Sequence, residues 1–142
     1  MKHVILGNGP AGVVAAETLR RHAPRDEIVL VGSEREPPYS RMAIPYMLIG
    51  RIGEEGTYLR KSADHFAGLD IQLVQDRAMQ LDDAARTVTL ERGGPLAYDR
   101  LLIATGSHPI KPDVPGIDAP GVHTCWTLDD ARAIARVARK GA

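Results

Sequence analysis

Three glycines spaced Gly-x-Gly-x-x-Gly, at Gly7, Gly9 and Gly12, constrain this chain more than any other feature. They follow a short run with β-branched residues, Lys2-His3-Val4-Ile5-Leu6, and open a helical pattern with Ala11, Val14, Ala15, Thr18 and Leu19 at spacings of three and four. Arg20-Arg21-His22 closes that pattern with the charge that suits the negative end of a helix dipole. Pro24 and Asp26 break it. The next run, Glu27-Ile28-Val29-Leu30-Val31, is continuously apolar after its first residue, as a strand covered on both faces of a parallel sheet would be. Strand, helix and strand over about 30 residues make a βαβ unit. In that unit Gly7 allows the tight turn, Gly9 lets a pyrophosphate approach the backbone, and Gly12 lets helix and strand pack closely. The helix N-terminus offers free N–H groups and roughly half a positive charge to the phosphates.

The motif does not stand alone. Glu34 follows about 20 residues later, at the end of the second strand, where a carboxylate accepts hydrogen bonds from both hydroxyls of a ribose. The same charge repels a 2′-phosphate, so NADP is the wrong ligand at this position. The competing interpretation makes these ordinary turn glycines and Glu34 a solvated surface acid.

Composition narrows the class further. The 142 residues include 18 basic and 18 acidic side chains, a formal net charge of zero that argues against a dedicated nucleic-acid binder. Apolar residues make up 44% and charged residues 25%, enough core and no more charge than a globular domain carries. The single cysteine, Cys125, cannot form an internal disulfide or a multi-thiolate zinc site, which points to a reducing, cytoplasmic setting. No metal site is expected, since the five histidines show no ligand spacing. No apolar stretch approaches the roughly 20 residues of a membrane span, and none resembles a secretory signal. A surplus of 14 glycines and 10 prolines predicts many sharp turns.

Beyond Gly32 the chain changes character. Pro37-Pro38, Pro45, Gly50, Gly53 and Gly56 punctuate an excursion whose one apolar block, Ala43 to Ile49, is expected to be a buried helix. A short helix is predicted over Ser62 to Ala67, ended by Gly68 as a left-handed cap, and a third strand over Ile71 to Val74. Three β-like segments follow, Ala78–Leu81, Thr87–Glu91 and Pro95–Tyr98, with turns at Asp82-Asp83 and Gly93-Gly94, so an antiparallel meander is expected. Leu101-Leu102-Ile103-Ala104-Thr105-Gly106 reads as another buried strand ending at a glycine. Pro109, Pro112, Pro115 and Pro120 have linker composition. Thr127 then caps a helix carrying Ala131, Ile134, Ala135 and Ala138, with Asp129 and Asp130 at its start and Arg136, Arg139 and Lys140 at its end.

A simple NAD dehydrogenase would continue in alternating strands and helices, and it would need a proton-transfer pair that this sequence lacks near its Ala-Thr-Gly strand end. Instead, the text Val4-Ile5-Leu6-Gly7-Asn8-Gly9-Pro10-Ala11-Gly12, Pro38-Tyr39-Ser40-Arg41, Tyr98-Asp99-Arg100-Leu101-Leu102-Ile103-Ala104-Thr105-Gly106-Ser107, Pro115-Gly116-Ile117-Asp118 and Thr127-Leu128-Asp129-Asp130-Ala131 resembles the FAD-dependent pyridine nucleotide-disulfide oxidoreductases. These include glutathione reductase, NADH oxidase, ferredoxin and rubredoxin reductases and the flavin part of the nitrite reductase large subunit. The resemblance spans essentially the whole chain. It implies an α/β fold, a Rossmann-like parallel sheet with an inserted antiparallel β-meander, as in an incomplete glutathione-reductase-type FAD domain. It implies FAD as cofactor, with Gly7, Gly9, Pro10, Ala11 and Gly12 at the pyrophosphate, Glu34 at the adenosine ribose and Arg41 along the pyrophosphate and ribityl chain. It further assigns adenine to the backbone of Ala78, and the opposite border of the FAD to Ala104, Thr105 and Gly106.

Departures from the family pattern place the chain within it. Met42 stands near where the NADH-oxidase type holds its single redox cysteine, and a thioether forms no thiolate or mixed disulfide. Tyr46 stands where the ferredoxin-reductase type has a lysine, which leaves members like the nitrite reductase large subunit and NADH oxidase, without the redox cysteine, as the nearest match. No catalytic residue is assigned. Cys125 is expected to be structural and Trp126 to serve packing.

The resemblance also sets expectations about extent. Residues 1–108 would be the N-terminal part of an FAD-binding domain, with the meander at about 77–99, and 109–142 a linker and first helix leading toward a missing NAD(P)-binding domain. A second glycine fingerprint and the later Gly-Asp motif are absent from the sequence, so a longer parent flavoprotein is expected, with NAD(P)H as its co-substrate and an unidentified electron acceptor. Alone, the chain is expected to be inactive. The rival expectation is a stand-alone ADP- or dinucleotide-binding regulatory or assembly module.

Overall fold

The computed structural model describes residues 1–138. Its elements run β1 (Lys2–Leu6), α1 (Pro10–His22), β2 (Glu27–Gly32), a 3-10 turn (Arg41–Ala43), α2 (Ile44–Leu48), a second 3-10 turn (Glu54–Thr57), α3 (His65–Gly68), β3 (Ile71–Gln75), β4 (Ala78–Asp82), β5 (Thr87–Leu90), β6 (Gly94–Ala97), β7 (Arg100–Ile103) and α4 (Leu128–Val137). The chain divides into two compact units, one of residues 1–39 with 58–106, the other of residues 40–57 with the chain from Ser107 onward. The middle of the proline-rich excursion thus joins the C-terminal segment.

In the first unit β3, β2, β1 and β7 form a parallel sheet in that order, and β4, β5 and β6 form the expected antiparallel meander. The unbroken apolar runs of β1 and β2 follow from cover on both faces. On one face Ile5, Ile28 and Leu30 pack with Val13 and Ala16 of α1 and Phe66 of α3. On the other, Val4, Leu6, Val29 and Val31 meet Val88 and Leu90 of β5. Alternation in β5 serves this contact: Val88 and Leu90 are buried, whereas Thr89 between them is exposed. Each fully buried Ile or Leu of this kind contributes on the order of 2 kcal/mol.

Several local expectations change. β7 is paired and parallel as anticipated, but it is not a buried strand: Leu102 and Ile103 are 42% and 58% exposed, because β7 is the outer strand of the sheet. Gly68 lies inside α3, and the left-handed residue is Asp70, at φ 51°. Aspartate tolerates that region through its short polar side chain. Arg20 secures the same corner, its guanidinium donating to the carbonyls of Leu69 (2.7 Å) and Asp70 (2.5 Å) as well as Pro24 and Asp26. This is a more specific task than complementing a dipole. Near the start of the chain, the Lys2 N–H donates to the Asp99 carboxylate at 2.6 Å and the Asp99 N–H to the Lys2 carbonyl at 2.9 Å, which brings β7 back beside β1.

In the second unit the block Ala43 to Ile49 is helical only over α2, and of α2 only Ile44 is buried. Tyr46 and Ile49 are exposed, so the buried-helix expectation is corrected. α4 lies beside α2 and buries Leu128 and Ala131. Thr127 caps it as predicted: its hydroxyl accepts from the Asp130 N–H (3.1 Å), while the Asp130 carboxylate accepts from the Thr127 N–H (3.0 Å), a reciprocal capping box. Arg132 clamps Glu54 through two hydrogen bonds of 3.0 and 2.6 Å. Arg139 and Lys140, expected at the helix end, lie outside the described residues.

Candidate functional site

The turn from β1 into α1 is held by backbone on both sides. The Gly7 N–H donates to the Val31 carbonyl at 2.8 Å, and the Ala104 N–H to the Leu6 carbonyl at 2.7 Å. Gly7 sits at φ +104°, and a Cβ there would lie 2.1 Å from the Ala104 carbonyl oxygen. Thr105 borders the same spot, its Cα 3.0 Å from that Cβ. The strand end at Ala104 and Thr105 therefore closes against the glycine loop.

Gly12 and Gly9 serve opposite ends. A Cβ on Gly12 would meet the Gly7 carbonyl oxygen at 1.8 Å, whereas one on Gly9 would meet nothing within 4 Å. Open space at Gly9 lies directly before α1, which has Pro10 in its first turn, no acidic residue there and no side-chain cap. Its first intrahelical bond runs from the Val13 N–H to the Gly9 carbonyl at 3.0 Å, so the N–H groups of Ala11 and Gly12 fall outside the helical ladder. A donor outside the ladder at an exposed residue, as Ala11 is, suits an anionic phosphate group.

Glu34 lies just beyond β2, half-buried, in the wall of a cleft of about 390 Å³. The cleft also presents Asn8, Gly32, Pro38, Phe66 and Leu73, with Arg35, Arg60 and Lys61 among its charged lining residues. Its position at the carboxyl ends of parallel strands is where open α/β sheets take ligands. The Tyr39 hydroxyl donates to the Glu34 carboxylate, and Tyr39 is itself buried and bridged to Tyr58. A Cβ on Gly32 would lie 2.3 Å from the Asn8 side chain.

Ala78 opens β4 and packs beside the apolar cluster on the meander face. It is not among the residues walling the cleft. Arg41 belongs to the second unit, where its guanidinium lies 4.9 Å from the centre of the Trp126 ring. Trp126 was expected to serve packing, and its ring supports a cation as well. The Trp126 backbone N–H donates to the Asp130 carboxylate at 2.9 Å. Burial pushes that carboxyl up, but the N–H groups of Thr127 and Trp126 and the hydroxyls of Thr124 and Thr127 hold it below the usual range. Met42 is 85% exposed, Tyr46 52%, and Cys125 is exposed.

Three contributors escaped the sequence. Asn8 and Gly32 line the cleft, and Asp76 joins the sheet to the meander. Only Gly32 left a trace, as a glycine closing an apolar strand. Among the described residues no group of three or more His, Cys, Asp or Glu is placed to hold a metal, and no helix is long and apolar enough to cross a membrane.

Comparison with known proteins bears on this geometry. The family model for pyridine nucleotide-disulphide oxidoreductases matches residues 1–140. The chain is 36% identical over 138 residues to the biphenyl dioxygenase system ferredoxin–NAD(+) reductase component of Paraburkholderia xenovorans, covering 96% of this chain and 34% of that protein. It is 34% identical over 131 residues to the epsilon subunit of NADH-dependent phenylglyoxylate dehydrogenase of Aromatoleum evansii, covering 92% and 31%. An NAD-dependent persulfide reductase from A. fulgidus superposes with a TM-score of 0.88 at 31% identity, over 100% of this chain and 28% of that one. The chain spans about a third of the length of the curated relatives it matches. The glycine loop closed by Ala104, the parallel sheet and the meander across its face belong with these matches: the chain is a member of the pyridine nucleotide-disulphide oxidoreductase family.

Proposed function

We propose that this chain binds the ADP half of FAD and that, joined to the further segments its longer relatives possess, it carries electrons from reduced NAD(P)H to an acceptor. The observation that carries this reading is the contrast at the loop, where Gly7 and Gly12 are closed by backbone and Gly9 faces open space at an uncapped helix N-terminus. Gly7, Gly9, Pro10, Ala11 and Gly12 would hold the pyrophosphate. Glu34 would accept from the ribose hydroxyls, and the Ala78 backbone would meet adenine. Ala104, Thr105 and Gly106 would border the flavin side, and Arg41, steadied by Trp126, would supply positive charge along the ribityl-phosphate chain. Bound flavin supplies hydride acceptance and one- or two-electron release, while the protein positions it. With methionine at position 42, no thiol relay operates there. A single thiol suits a reducing cytoplasm.

The test is titration of the purified chain with FAD and with ADP by calorimetry, alongside its visible absorbance. Binding of both, with a yellow preparation or a flavin spectrum on reconstitution, supports the reading. Tight ADP binding with no affinity for FAD would replace it with a regulatory or assembly module, and binding of neither would overturn both.

A further inference from the structure

Asp76, which lies between β3 and β4, is only 5% exposed. Its carboxylate accepts from the backbone N–H groups of Arg77 (2.7 Å), Gly93 (2.8 Å) and Arg92 (3.2 Å), and the Arg92 guanidinium lies 3.7 Å away. Its own N–H donates to the Gly32 carbonyl at 2.9 Å. Burial pushes this carboxyl up, but the three amides and the nearby Arg92 charge outweigh it and hold it below the usual carboxylate range. The side chain thus ties the entry to β4 to the turn from β5 to β6, while the backbone N–H of the same residue joins that point to the end of β2.

The residues it joins flank the ends of the proposed adenosine site. Gly32 stands two positions before Glu34, and Ala78 two positions after Asp76. The Arg77 carbonyl accepts from the Glu91 N–H at 2.9 Å, so the planar trans peptide turns the Ala78 N–H the other way, toward the outer edge of the meander. Regular pairing of β4 with β5 is interrupted between Ala78 and Gln80, as bulges interrupt strands beside sites. A strand edge offering N–H and C=O matches adenine, whose ring nitrogen accepts and whose amino group donates. Hypoxanthine carries the reverse pattern.

We infer that Asp76 is a positioning residue that sets the base selectivity of the dinucleotide site, its carboxylate fixing the chain at Arg77, and so the Ala78 peptide that follows, against the turn at Arg92 and Gly93. The inference rests on the proposed reading, in which adenine lies at Ala78. Gly93 provides an independent handle, because a Cβ there would lie 3.3 Å from Asp76 Oδ2 and crowd the carboxylate.

Calorimetric titration of the full chain with ADP, IDP and inorganic pyrophosphate tests it, in the wild type, Asp76→Asn and Gly93→Ala. Wild type is expected to prefer ADP over IDP. Asp76→Asn should reduce that preference about five-fold, the worth of one hydrogen bond, with pyrophosphate affinity unchanged. Gly93→Ala should show the same change in smaller measure, and it decides the matter where Asp76→Asn does not fold. An unchanged ADP-to-IDP ratio in the folded variants, even with all affinities falling together, overturns the inference and leaves Asp76 a structural residue. Equal binding of ADP and IDP by the wild type overturns it while sparing the proposed function, whereas a wild type that binds no ADP overturns both.

Discussion

A Cβ on Gly12 would lie 1.8 Å from the carbonyl oxygen of Gly7, so the first turn of α1 and the end of β1 touch backbone to backbone. Nothing flexible stands between them that could yield. Gly12→Ala should therefore move the loop and cost about 1–3 kcal/mol of stability, the usual range for overpacking. Gly9→Ala, pointing into open space from an ordinary backbone conformation, should stay within about 0.5 kcal/mol of wild type. Thermal melts of the two variants check the contrast, and equal losses would show that the loop is not packed in this way.

Glu34 should govern which ribose the site accepts. Replacing its carboxylate by the amide in Glu34→Gln weakens acceptance from the ribose hydroxyls and removes the charge that repels a 2′-phosphate. ADP affinity should fall about ten-fold, in keeping with hydrogen bonds to a charged group, while 2′,5′-ADP should gain relative to ADP. Competitive titration with the two nucleotides measures this. A ratio that does not move would place the ribose elsewhere.

Glu17 predicts the acid limb of stability. Its carboxylate accepts two hydrogen bonds from Arg60, at 2.7 and 2.6 Å, and faces His65 at 2.8 Å, joining α1 to the segment before β3. The Arg60 hydrogen bonds, opposed by burial and aided by His65, lower its pKa from the ordinary 4.5. A carboxylate lowered in the folded state stabilises above its unfolded pKa, and that contribution fades as pH falls through the folded value. Denaturant melts between neutral and acid pH should show wild type losing stability below about pH 4.5. Glu17→Gln should be less stable at neutral pH and show a flatter acid limb. An equally steep limb in the variant would assign the effect to other acids.

Thr127→Ala removes one half of the reciprocal cap on α4 and should cost about 1 kcal/mol. Trp126 is the single tryptophan and sits immediately before the cap, so its emission reports on that segment. Loss of the cap should lower the midpoint of the transition that Trp126 reports. An unchanged midpoint would mean that burial of Leu128 and Ala131 holds the helix unaided.

Much of the first unit was legible because its signals are local. The β1–α1–β2 unit announced itself through a glycine triad between an apolar strand and an amphipathic helix, and the meander through evenly spaced β segments divided by turn residues. The cap at Thr127 was equally plain. Misreadings fell where burial depends on partners distant in sequence. Leu101–Ile103 reads like a central strand, yet β7 borders the sheet and leaves two of its apolar residues exposed. Ala43–Ile49 reads like a core helix and buries only Ile44 of α2. The left-handed turn after α3 fell to Asp70 instead of Gly68, because the Arg20 guanidinium fixes the carbonyls on either side of that corner.

Sequence alone determined the glycine loop between β1 and α1, since spacing along one strand, one turn and one helix dictates which backbone groups point together. Tertiary structure decided which glycine is open and which are closed. That depends on the Ala104 carbonyl arriving from β7 against Gly7, and on the turn folding Gly7 back over Gly12. It also decided that Asp76, unremarkable between Gln75 and Arg77, is nearly sealed from solvent by amides remote in the chain. A buried carboxylate must find donors wherever the fold brings them, and no pattern along the chain records where that will be.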